Sequence, residues 1–154
     1  MGAPEVRAHY PRRWTDTHRQ VAFYEKVLGF RVPDWMASVM VWMRCSPDHH
    51  GVAWIQAERA SLHHLAWEVQ DWSALRALAD HMLNHDIRLL YGPGRHGSGF
   101  NLFLYVRNLD GIINELFTDM LQIWDEDAYT PRVWEDCPET INQWGPAPPP
   151  EFLE

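Results

Sequence analysis

The stretch LHHLAWEVQDWSALRALADHMLN, residues 62–84, decides the reading of the fold. Leu62 to Val69 has strand composition, and Asp71 is placed to cap a helix running from Trp72 to about Asn84. Leu75, Leu78, Ala79 and Met82 recur on one face of that helix. Downstream, Ile87 to Tyr91 and Asn101 to Arg107 read as strands flanking a glycine-rich loop, GPGRHGSG at 92–99. Asn108-Leu109-Asp110-Gly111 supplies hairpin chemistry before a last strand, Ile113 to Thr118. Upstream the same order recurs. A first strand leads to a helix capped by Thr15, Asp16 or Thr17, with Val21, Ala22, Tyr24, Val27 and Leu28 at helical spacing and a stop at Gly29. Phe30 to Val32 resumes an extended pattern, Pro33-Asp34 breaks it, and Ser38 to Arg44 and Val52 to Gln56 read as further strands. Two copies of βαβββ, at about residues 5–58 and 60–119, predict an α+β fold whose modules bury their faces on each other in one shared, barrel-like sheet.

A chain of 154 residues suits one domain or two small modules around one core. We therefore expect a single catalytic domain over 1–120 and a distinct tail over 121–154. With five prolines from Pro138 to Pro150, the tail reads as a PPII-like arm packed on the body through Trp134, Trp144 and Phe152. The net charge of −8 opposes nucleic acid or an anionic membrane as partner. No apolar run approaches the ~18 residues of a membrane span, and residues 1–7 lack signal-peptide order, so a cytoplasmic location is expected. Two cysteines, Cys45 and Cys137, cannot build a disulfide framework or a thiolate zinc site, so any metal must rest on N and O ligands. Nine histidines and nine tryptophans suggest an imidazole-rich site with an aromatic wall.

His9, His64 and Glu115 fall on strand positions in different parts of the repeat. Two imidazoles and one carboxylate on one face of a divalent ion is the arrangement of non-haem Fe(II) oxygenases, which leaves positions open for substrate and O₂. Spacing alone is a weak signal, because a lone histidine or glutamate on a strand is more often structural.

The segments AFYEKVLGF (22–30), RCSPDHHGVAW (44–54), LHHLAWEVQDW (62–72), YGPGRHGSGFNLFLY (91–105) and DGIINELFT (110–118) resemble the catalytic domain of type I extradiol ring-cleaving dioxygenases of the vicinal oxygen chelate superfamily. The resemblance covers residues 7–118, and WGPAPPPEF resembles the closing motif of those enzymes. It implies His9, His64 and Glu115 as metal ligands. It also implies His50 as a proton donor outside the coordination sphere, His96 as a histidine that closes the site from the glycine-rich loop, and Tyr105 as the group holding a substrate oxygen. His49 and His63 are assigned structural roles. Trp42, eight residues before His50, is the candidate wall over the substrate ring, or equally a core tryptophan. Tyr91 stands where family members using acidic catechols commonly carry arginine.

The length of the chain and HYPRRWTD in place of an apolar first strand resemble the short single-domain L-DOPA 2,3-dioxygenases of antibiotic biosynthesis. The expected activity is thus Fe(II)-dependent opening of a catechol, L-DOPA, by O₂ to a muconic semialdehyde, with no nucleic-acid or membrane partner and a surface that a second copy, in a homodimer, could cover. Two alternatives share the repeat: a metal-dependent glyoxalase or isomerase, and a metal-free antibiotic-binding protein.

Overall fold

The computed structural model describes residues 10–153. In chain order the elements are β1 (Tyr10–Trp14), α1 (Thr17–Leu28), β2 (Asp34–Met36), β3 (Met40–Met43), β4 (Val52–Gln56), β5 (Ser61–Leu62), β6 (His64–Glu68), α2 (Trp72–Leu83), β7 (Tyr91–Arg95), β8 (Leu102–Arg107), β9 (Ile113–Thr118), β10 (Arg132–Trp134), α3 (Pro138–Ile141) and α4 (Pro150–Leu153). The α+β class and the repeated βαβββ order are as the sequence implies. The hydrogen-bond ladders, however, close within each module, so the single shared sheet becomes two. Among the described residues no helix is long and apolar enough to cross a membrane.

The first module, residues 10–63 with 121–136, carries the sheet β10-β2-β3-β4-β1-β5. Asp16 caps α1 by accepting from Arg19 N at 3.0 Å, and Gly29 ends it at φ 71°, a left-handed position that glycine takes without strain. Val21 and Tyr24 pack on Val41, Met43 and Trp54, whereas Val27 and Leu28, expected on the same face, are exposed.

The second module, residues 64–120 with 137–153, carries the sheet β6-β9-β8-β7. Asp71 caps α2 by accepting from Ala74 N at 2.8 Å. The period-two alternation of strands sorts its side chains cleanly. Leu102, Leu104, Val106 and Leu116 face α2 and cover Leu75, Ala79 and Met82. Full burial of a leucine such as Leu75 contributes roughly 1.5–3 kcal/mol. His64, Glu115, Tyr105, Phe103 and Tyr91 fall on the opposite face, fixed there by the register Ala66↔Glu115, Tyr105↔Glu115 and Tyr91↔Tyr105. Asn108 makes the β8–β9 turn by accepting from Asp110 N and Ile112 N, at 3.1 and 2.8 Å.

Four further expectations are corrected. The strand foreseen at 87–91 lies at 91–95, inside the glycine-rich segment. Glycine is required there because a Cβ on Gly94 would stand 2.6 Å from Phe103 Cζ and 2.4 Å from Asn142 Oδ1. The strand foreseen from Leu62 to Val69 divides at His63, β5 pairing with β1 and β6 with β9. Asp34, read as a break, opens β2. The C-terminal segment is no PPII arm: β10 pairs in parallel with β2, and Pro138 and Pro150 open α3 and α4, where a missing N–H removes no helical bond.

Candidate active site

His64 and Glu115 come from adjacent parallel strands of the second module, and the residue spacing sets them diagonally on one face. His64 Nε2 lies 3.1 Å from Glu115 Oε2, with both side chains buried. Asn101 Nδ2 donates to the other carboxylate oxygen at 3.0 Å, so the carboxylate is held at both ends. Tyr105, directly across the ladder from Glu115, meets the His64 ring edge-on at 5.2 Å, and Phe152 of α4 packs on Tyr105 at 4.6 Å.

His96 is not carried on an open loop. Its backbone N bonds Asn101 O at 3.0 Å, its ring stacks on Phe103 at 4.0 Å, and its Nδ1 lies 2.6 Å from Ile141 O. A carbonyl only accepts, so Nδ1 carries the proton, and in the neutral ring Nε2 accepts from the Tyr105 hydroxyl 3.1 Å away. Burial, and after it the Glu115 charge, pushes the Tyr105 phenol well above the ordinary tyrosine range. It stays protonated and remains a donor.

Tyr91 is buried, stacks on Tyr105 at 6.1 Å and donates its hydroxyl to Pro146 O at 3.0 Å. What it presents on this face is its ring. Burial pushes its phenol up as well, against a hydrogen bond from Asn142.

The first module holds His50 and Trp42, both buried, their rings 6.4 Å apart. His49, expected to be structural, is fully buried and joins two partners: its Nδ1 lies 3.0 Å from His50 Nδ1, and its Nε2 lies 3.2 Å from Asp34 Oδ2, off the N–H axis. Asp34 further accepts from Tyr129 Oη at 2.8 Å, Arg132 N at 3.0 Å and Trp134 Nε1 at 2.6 Å. Burial pushes the Asp34 carboxyl up, but the His49, Trp134 and Arg132 donors outweigh it and hold it below the ordinary carboxylate range.

Sequence reasoning overlooked Asn101 and the Asp34 cluster. The asparagine carries no motif signal, and the partners of Asp34 lie about a hundred residues away. His9, the first expected ligand, lies outside the described residues. Among the described residues no group of three His, Cys, Asp or Glu side chains converges as a metal set. His64 and Glu115 are nonetheless a buried N,O donor pair with a braced carboxylate, a donor set whose chemistry suits a divalent ion of intermediate hardness.

The family model described as the glyoxalase/bleomycin resistance protein/dioxygenase superfamily matches residues 7–116. Metapyrocatechase 2 of Cupriavidus necator is 30% identical over 97% of this chain and 49% of its own length. The crystal structure of the Mn(II)-bound glyoxalase from Novosphingobium aromaticivorans superposes with a TM-score of 0.86 at 28% identity, over 93% of this chain and 48% of that one. Native homoprotocatechuate 2,3-dioxygenase from Arthrobacter globiformis gives 0.84 at 27% identity, over 95% and 48%. The chain spans about half the length of each.

Proposed function

Because this chain belongs to the glyoxalase/bleomycin resistance protein/dioxygenase superfamily, we propose that it is a metal-dependent extradiol dioxygenase, opening the ring of a catechol with O₂. The observation that carries the reading is the buried imidazole–carboxylate pair, His64 and Glu115, flanked on one sheet face by the hydrogen-bonded pair Tyr105 and His96. The similarity to a metapyrocatechase and to homoprotocatechuate 2,3-dioxygenase supports it.

His64 and Glu115, with His9, would hold the ion, Fe(II) in the resemblance drawn from the sequence. When bound, such an ion supplies Lewis acidity and adjacent positions for a catechol and O₂, so that two reactants meet at very high effective concentration. The protein's own work lies around it. Asn101 orients the Glu115 carboxylate. Tyr105, a phenol kept neutral, turns its proton from His96 toward a substrate oxygen, and His96 receives it in the alternative state. Phe103 and Ile141 hold the His96 ring in place, so closure belongs to a fixed imidazole and not to a swinging loop. His50 is assigned the proton donor during oxygen insertion. Trp42 and the Tyr91 ring are assigned as apolar walls, and L-DOPA as the catechol.

The Mn(II)-bound glyoxalase likeness favours a second reading, isomerisation on a Lewis-acid metal. One experiment separates the two. Protein loaded anaerobically with Fe(II), then given air and L-DOPA, should take up one O₂ per catechol and form a yellow product. No oxygen uptake with any catechol would overturn ring cleavage.

A further inference from the structure

We infer that Asp34 and His49 are positioning residues for His50, fixing its ring and keeping a proton on Nδ1, so that Nε2 is the nitrogen that takes up a proton from the catechol and later donates it. The inference rests on the reading of His50 as the proton-handling residue, but its own content is a tautomer, which can be observed directly.

Three buried groups follow one another, the His49 contact to Asp34 lying off the N–H axis. Asp34, 1% exposed, can only accept when ionised, so the His49 nitrogen facing it at 3.2 Å carries the proton. In neutral His49 the other nitrogen, Nδ1, is then bare. Across 3.0 Å it faces His50 Nδ1. Two bare nitrogens would repel and two N–H groups would clash, so His50 Nδ1 must donate. The proton order runs one way, from His50 through His49 to Asp34. With His49 at 0% and His50 at 6% exposure, bulk water does not compete for these positions.

The anchor itself is held firmly. The Tyr129 hydroxyl, Arg132 N and the Trp134 indole all converge on the same carboxylate from the segment that ends in β10. Those three donors already suffice to satisfy a buried carboxylate; the His49 contact is the one that leads toward His50. The two imidazole planes stand at 90°, with Tyr129 packed edge-on against His49 and Trp42 against both rings. The rings therefore cannot flip without disturbing three aromatic contacts. A buried carboxylate orienting one imidazole is a familiar way of selecting a tautomer; here a second imidazole extends its reach.

Two substitutions divide the relay. Glutamine at 49 sets an amide near the Nε2 position and keeps the Asp34 contact; asparagine sets one near Nδ1 and keeps the His50 contact. The full chain, ¹⁵N-labelled at histidine and without added metal, is read by two-bond ¹H–¹⁵N correlation. Wild type should show His50 protonated on Nδ1; His49→Asn, cut off from Asp34, should lose that preference, its retention removing Asp34 from the relay, and His49→Gln should show the proton on Nε2. In the Fe(II)-loaded enzyme both variants should lower kcat by about tenfold or more at unchanged KM, up to the roughly 10²–10⁴ that a positioned acid or base supplies. Wild-type His50 protonated on Nε2, or His49→Gln leaving the Nδ1 proton in place, would overturn the relay. If the chain turned over no catechol, the ring-cleavage reading would fail while the nitrogen spectrum still decided the relay.

Discussion

Tyr105 and Glu115 stand directly opposite each other on β8 and β9, a buried phenol set beside a buried carboxylate. Burial, and after it the Glu115 charge, keeps the phenol neutral, so its hydroxyl stays a donor on the sheet face that carries His64 and Glu115. Tyr105→Phe fills the same space but removes that donor. We expect folding to survive and kcat to fall by about 10²-fold, the lower end of what a positioned proton donor contributes, with metal content unchanged. A steady-state assay beside metal analysis checks this; unchanged kcat would remove Tyr105 from the chemistry.

Asn101 donates to Glu115, so its effect on the proposed ion would pass through that carboxylate. Asn101→Ala should weaken retention of a divalent ion by about 10–100-fold, as loss of an outer partner usually does. Glu115→Ala and His64→Ala should abolish it, and His63→Ala should leave it intact. Isothermal titration with Mn(II) gives all four values. Equal affinity in Asn101→Ala would show that the carboxylate needs no brace.

Gly94 is a packing requirement. In Gly94→Ala the new methyl would press on the fully buried Phe103 ring and on Asn142, which holds the closing segment. Overpacking of this kind costs about 1–3 kcal/mol. A fall of several degrees in Tm is expected, with weaker protection of 137–153 in hydrogen exchange; an unshifted Tm would show that this face yields easily.

The Asp34 cluster makes the first module acid-sensitive. Its carboxyl is held below the unfolded value of about 3.9, so the unfolded chain binds the proton first as pH falls. The stabilisation is complete above the unfolded value and is lost as pH drops through the folded one. Wild type should therefore lose more stability than Asp34→Asn between about pH 5 and 3, while the variant is weaker by about 1–3 kcal/mol at neutral pH because buried donors lose a charged acceptor. Urea titrations at stepped pH measure both; parallel curves would contradict the account.

What the sequence made legible was what local chemistry decides. Asp16, Gly29, Asp71 and Asn108 act within a few residues of themselves, and each sits where its cap or turn chemistry placed it. Glu115 stands out in the sequence only through the family resemblance, since alone it reads as a solvated strand residue, and the structure buries it. Contacts across long separations were not legible. Tyr91–Arg95 looks like loop because its glycines signal freedom, yet Phe103 and Asn142 press it into a strand. Asp34 looks like a turn residue because its partners Tyr129, Arg132 and Trp134 lie some hundred positions on. The prolines of the closing segment argued against helix, although at the first turn of α3 and α4 they cost nothing. His49 reads from the sequence as a structural neighbour of His50, because spacing carries no sign of the Asp34 carboxylate 3.2 Å from it.

His64 and Glu115 are proposed to hold one ion between them. Anomalous diffraction from crystals soaked in Mn(II) tests it without reference to any substrate. A single strong peak is expected at bonding distance, about 2 Å, from both His64 Nε2 and a Glu115 oxygen, with His9 completing the protein ligands. A well-ordered ion elsewhere, with the His64–Glu115 contact of 3.1 Å left as it stands, would contradict it.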